Sequence, residues 1–176
     1  MTLMTQITTA EWPLDGIWIT AVPTPLGNIV MTTLYTAQDA AKTRFGGTLE
    51  GINNLPVLSE LYPNSDKDTF AGGQVVKVGR NKYEATFLEW FQKTVDIYNT
   101  EIVGIATINA HFELVGPDLI QGHGTGSYYM AAQDADQDGF PDEGQEPVLC
   151  VPWEWTARRL TVLPGCIPAP MPELGQ

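Results

Sequence analysis

Ile102-Val-Gly-Ile-Ala-Thr-Ile-Asn-Ala-His-Phe-Glu-Leu-Val115, then Gly116-Pro117-Asp118, then Leu119-Ile-Gln-Gly-His-Gly-Thr-Gly-Ser-Tyr-Tyr-Met130, is the stretch from which the fold is read. Two long runs rich in β-branched and aromatic residues flank a Gly-Pro-Asp turn signal, the pattern of an antiparallel hairpin. A three-residue loop pairs Val115 with Leu119 and fixes every other pair. His111 then faces His123, Glu113 faces Gln121, Asn109 faces Thr125 and Thr107 faces Ser127. All eight lie on one face, because side chains alternate along a strand. The opposite face carries Gly104, Ala106, Ile108, Ala110, Phe112 and Leu114 against Ile120, Gly122, Gly124, Gly126, Tyr128 and Met130, and reads as core. A two-residue turn would shift the register by one and separate the histidines.

Working outward, further runs have the same character. Gly16–Val22, Asn28–Ala37, Thr43–Gly51, Gln74–Val78, Tyr83–Phe91 and Val148–Leu163 read as strands, divided by turn chemistry at Pro23-Thr-Pro25-Leu-Gly27 and Gly79-Arg-Asn81-Lys82. Asn54–Tyr62 reads as one or two helical turns. With the hairpin, this makes eight strands joined mostly by short links, the pattern of an all-β antiparallel meander. Such a sheet removes its edges by closing into a single eight-stranded barrel; a two-sheet β-sandwich is the alternative. The expected organisation is an N-terminal arm over residues 1–13, a barrel domain over 14–163, and a proline-rich tail over 164–176.

Gly16-Ile17-Trp18 in the first strand resembles the Gly-x-Trp opening of lipocalins and related calycin barrels. That resemblance implies a barrel with the Trp plugging one end. The chain lacks a C-terminal helical segment, in which it is similar to allene-oxide-cyclase-like and dirigent-like barrels.

Between the last two strands lies Asp134-Ala-Asp136-Gln-Asp138-Gly139-Phe140-Pro-Asp142-Glu-Gly-Gln-Glu146. Carboxylates at alternate positions followed by a glycine suit a hard divalent cation. Asp134, Asp136 and Asp138 converge, the glycine allows the turn, Phe140 offers its carbonyl, and Asp142 and Glu146 complete the set. An EF-hand has Glu at position twelve, where this chain has Gln145. The stretch resembles the calcium loops of thrombospondin type 3 repeats, which implies bound Ca2+. Strand-like sequence on both sides points to a structural ion tying down a long loop.

Composition bounds the partners. A net charge of −12 argues against nucleic acid or an anionic membrane surface. No apolar run reaches the roughly 18 residues of a membrane span. Met1–Leu14 has neither the basic start nor the continuous apolar centre of a secretory leader, so none is expected within this sequence. Cys150 and Cys166 are sixteen residues apart near the C-terminus and are read as a disulfide worth about 3 kcal/mol. A calcium loop, an acidic surface and paired cysteines together indicate an extracellular or periplasmic protein.

Three functions fit. The first is a calcium-stabilised barrel binding a small apolar or amphipathic molecule, since eight strands enclose either packed side chains or one small ligand. The second is a barrel enzyme, a lyase, cyclase or hydrolase, in which His111, His123 and Glu113 move protons or hold a metal. The third is a structural subunit of an extracellular assembly, and self-association is left open. Trp90, Phe91, Tyr98, Trp153 and Trp155 read as core in preference to a ligand site. Gly122-His-Gly-Thr-Gly126 reads as strand, lacking the helix and Lys of a phosphate loop.

Overall fold

Each long strand alternates apolar and polar side chains, so each has one face to bury, and eight such strands bury it together by curling the sheet shut. The structure, a computed structural model, describes residues 11–24, 27–50 and 56–161. In chain order the elements are β1 (Gly16–Thr24), β2 (Gly27–Ala37), β3 (Arg44–Glu50), α1 (Pro56–Leu61), β4 (Lys67–Asp68), β5 (Ala71–Gly79), β6 (Lys82–Thr94), β7 (Thr100–Gly116), β8 (Leu119–Met130) and β9 (Leu149–Arg159). Around the sheet the order is β1-β2-β3-β5-β6-β7-β8-β9, every pair antiparallel. Pairing of β1 with β9, from Trp18 opposite Arg159 to Ala21 opposite Thr156, closes it. The architecture is a closed eight-stranded meander barrel and not a sandwich. The two-residue β4, which the sequence did not suggest, adds to β6 at Phe91 and Gln92.

The β7–β8 register puts His111 opposite His123 by a different route from the one expected. The turn is Pro117-Asp118 alone, with Gly116 opposite Leu119, and a bulge between Leu114 and Gly116 absorbs one residue. The extra residue on β7 cancels the one-residue shift that a two-residue turn imposes. The polar face of this hairpin is the outside of the barrel and its apolar face lines the lumen.

The lumen is packed. Trp18, Phe45, Phe87, Leu114, Ile120 and Tyr128 are fully buried in it. Phe112 stacks with Tyr83 at 5.3 Å and Tyr35 at 5.6 Å, and meets Trp155 at 5.5 Å. A void of about 30 Å³ lies between them beside Thr20, Thr33 and Trp153, room for roughly one water. One end is sealed by Trp12, Leu14 and Trp18, with the Arg159 guanidinium 4.3 Å above the Trp18 ring. Arg159 also donates to the carbonyls of Pro13, Asp15 and Pro117. The other end is covered by α1 and the residue after it, Leu58 and Tyr62 being buried and Tyr62 stacking on Phe91 at 4.6 Å.

Candidate functional site

The acidic loop leaves β8 through a 3-10 turn at Ala131–Gln133 and returns at β9. Gly139 sits at φ +89°, a left-handed conformation that side chains disfavour, which explains a glycine at the sixth position. Asp134 is buried, and ligand oxygens of Asp134, Asp136 and Asp138 lie within 4.8 Å of one another. Asp134 also accepts from the backbone N–H groups of Asp138 and Gly139, and Asp138 accepts from Phe140. These bonds turn the chain so that the carboxylates point inward. Asp142 accepts from the Ala135 N–H. Asp142 and Glu146 stand outside the convergent trio, and Gln133 Nε2 donates to the Glu146 carbonyl at 2.8 Å. Trp90 Nε1 donates to the Gly139 carbonyl at 2.8 Å, tying the loop to β6. Three converging carboxylates form the kind of hard-oxygen set that suits Ca2+.

A second cluster lies on the outer face of β6–β9. His111 and His123 stack with ring centroids 5.5 Å apart and planes at 24°. The register extends this pair in both directions: Glu84 is opposite His111, and Glu154 is opposite His123. Glu84, His111, His123 and Glu154 thus form one row across four strands. His111 Nδ1 is 3.5 Å from Glu84 Oε1, and both side chains are more than half exposed. Glu113 belongs to the next row, opposite Lys82, whose Nζ is 3.9 Å from its Oε2. Glu113, expected beside the two histidines, lies one row away on the same face and lines the same depression, while the row itself adds Glu84 and Glu154. The signal that could have found them is strand parity, given the registers of β6 and β9. The row lies on the wall of an open depression of about 810 Å³, whose lining also includes Val78, Glu113 and Val115 and the lumen residues Tyr83, Phe112 and Trp155.

The structure also buries a carboxylate that the sequence reading passed over. Glu89 faces inward between Phe87 and Phe91, nearly fully buried, below α1. Alternation along β6 would have placed it there. The phenol of Tyr128 is pushed up by burial, then by the charge of Glu89 and by Tyr62. Burial likewise raises Tyr62, although its hydroxyl donates to the Tyr129 carbonyl at 2.8 Å. Of the aromatics read as core, Phe91 and Trp153 are buried, Trp90 and Trp155 partly so, and Tyr98 is exposed on the β6–β7 turn. Cys150 is exposed on β9, and its expected partner Cys166 lies outside the described residues. Among the described residues no helix is long and apolar enough to cross a membrane.

No protein-family description, curated protein or solved structure matches this chain.

Proposed function

We propose that this protein is an extracellular or periplasmic, calcium-stabilised β-barrel that binds a small amphipathic molecule on its outer face. The observation that carries this is the open depression of about 810 Å³ lined by residues of β1 and β5–β9. Its wall mixes exposed Val78 and Val115 with the polar side chains of Gln121, His123, Glu154 and Thr156. A wall divided between apolar and polar side chains suits a ligand with both characters. The lumen, the usual site in calycin-like barrels of this shape, is packed with aromatic rings here, and three of them, Tyr83, Phe112 and Trp155, also line the depression, so the ligand would meet that aromatic cluster there. Kinship with calycins is part of the same proposal and rests on Gly16-Ile17-Trp18 and the closed meander. Ca2+ in the Asp134, Asp136 and Asp138 loop would hold the long β8–β9 connection, with Phe140, Asp142 and Glu146 as further candidate ligands.

A neutral fluorescent amphiphile, N-phenyl-1-naphthylamine, tests the site. It should bind saturably to the native protein, and Val115→Glu should weaken binding about tenfold by placing a charge in the apolar wall. Binding that is unsaturable, or unchanged by Val115→Glu and Val78→Glu together, removes the reading.

A second reading is favoured by the tip of the β6–β7 hairpin. Val95, Ile97 and Tyr98 are all strongly exposed there, Tyr98 at 87%. Large apolar side chains gathered on one exposed turn suit a contact with a neighbour, as a subunit of an extracellular assembly would make. Sedimentation of the wild type against an Ile97→Lys, Tyr98→Lys variant separates this reading from the first.

A further inference from the structure

We propose that His111 and His123, completed by a single flanking carboxylate from Glu84 or Glu154, form a binding site for a divalent transition metal of the zinc class, distinct from the acidic loop. Four observations meet in this row. The ladders put the four residues directly opposite one another on successive strands, so the scaffold that positions them is the rigid sheet and not a loop. The two imidazoles are stacked at 5.5 Å. Glu84 is already 3.5 Å from His111 Nδ1. The row opens onto the depression, so an ion has an entry path and a free coordination position.

Donor chemistry selects the metal. Two imidazole nitrogens and one flanking carboxylate make a mixed N/O set, which suits Zn2+, Cu2+ or Ni2+, whereas Ca2+ takes oxygen ligands. Two nitrogens bound to one tetrahedral zinc sit about 3.3 Å apart, from bond lengths of about 2.0–2.1 Å. Exposed cross-strand side chains, about 5 Å apart at Cβ, reach that separation by rotating about their own single bonds, with the backbone unmoved. Glu84 would then either ligate or accept the remaining imidazole N–H of His111 and hold its tautomer. The net charge of −12 raises the local concentration of any cation. The acidic loop is remote, because His123 stands seven residues from the end of β8 at Met130, about 23 Å along the strand.

Zinc alone tests this, with no organic ligand required. The full chain is stripped of metal, saturated with Ca2+ and titrated with Zn2+ by calorimetry. One zinc per chain is expected at the row, with affinity falling at least tenfold in His111→Ala and again in His123→Ala. Glu101→Gln, at the other end of β7 and outside the depression, should change it less than twofold. Circular dichroism confirms that each variant is folded, and both histidines being exposed makes this the expected result. Copper provides the second measurement: Cu2+ bound to the native protein should show two coordinated imidazole nitrogens by electron paramagnetic resonance. Zinc affinity unchanged in the double histidine variant, zinc lost only in Asp134→Asn with Asp136→Asn, or copper with fewer than two imidazoles each overturns the proposal. A failed zinc titration leaves amphiphile binding unaffected, so the two proposals fail separately.

Discussion

His111 and His123 lie directly opposite each other on β7 and β8, their rings stacked 5.5 Å apart on the outside of the barrel. They are together because a bulge at the end of β7 compensates for a two-residue turn, so one local irregularity sets the register of the whole hairpin. A one-residue slip would also turn the core face of β8, with Ile120 and Tyr128, outward. Burial of that face therefore enforces the pairing, and the exposed histidines inherit a geometry that they do not themselves hold.

His111→Ala should accordingly leave stability within about 0.5 kcal/mol of wild type, since its side chain is largely solvated. Urea unfolding at neutral pH without added metal is the measurement. A loss of several kcal/mol would show an imidazole with a structural partner and displace the histidine row as a surface site.

Gly122→Ala should be far more costly than Gly72→Ala. A β-carbon at 122 would lie 2.5 Å from Trp155 Cε2 and 2.8 Å from Phe112 Cβ, inside the packed lumen. At Gly72 it would meet nothing within 4 Å. Overpacking of this kind costs about 1–3 kcal/mol. Equal unfolding midpoints for the two variants would contradict the aromatic packing around Phe112.

Much of the barrel was legible because its strands alternate cleanly and its hairpin turns carry Gly, Pro and Asn. The histidine pair was legible for the same reason, since a short turn fixes register. Glu154 was not, because an eighteen-residue connection from Met130 to Leu149 separates β8 from β9 and sets no register by itself. Glu84 was hidden by the bulge between Phe91 and Gln92, which breaks a simple count from the β6–β7 turn. The lumen's lack of free space could not be read either. It depends on ring orientations around Phe112, which only the closed three-dimensional packing determines.

Alkaline pH should expose the burial of the tyrosines. Burial raises the phenols of Tyr35, Tyr62 and Tyr128 well above the usual range, with Glu89 and Tyr62 adding to the effect at Tyr128. A group whose folded value is raised keeps its stabilising contribution below the unfolded value, about 10 for tyrosine, and loses it as pH climbs toward the folded value. At about pH 11 the native protein should therefore show less tyrosinate absorbance than its six tyrosines give when unfolded, and guanidinium then releases the rest. Ionisation of all six with the β-sheet signal intact would mean that these phenols meet solvent.

Arg159→Ala should destabilise by about 2–4 kcal/mol while Arg158→Ala stays within about 0.5 kcal/mol. The guanidinium of Arg159 covers Trp18 and donates to the carbonyls of Pro13, Asp15 and Pro117, whereas Arg158 points outward on the same strand. Arg159→Lys should recover only part of the loss, since an ammonium lacks the planar fork that reaches several carbonyls at once. Full recovery by lysine in thermal unfolding would reduce the role of Arg159 to charge.

Calcium removal should loosen the β8–β9 connection and leave the barrel standing. The loop holds three carboxylates within 4.8 Å of one another, an arrangement whose mutual repulsion a divalent cation relieves. It touches the barrel through the Trp90 indole, which donates to the Gly139 carbonyl. At a hundredfold excess of Ca2+ over its dissociation constant, stabilisation should reach about 2.7 kcal/mol, or about 5–10 °C in Tm for a chain of this size. Chelation should reverse that shift, with Asp136→Asn removing most of the response to calcium. Because Trp90 is the loop's contact, its fluorescence should change on chelation in the native protein and not in Trp90→Phe, which separates the loop from the other four tryptophans. The far-ultraviolet β-sheet signal at room temperature should not move, since every barrel strand pairs without help from the loop. Superimposable melting curves with and without chelator would rule out calcium as the occupant, and the extracellular or periplasmic setting proposed from it would lose its main support.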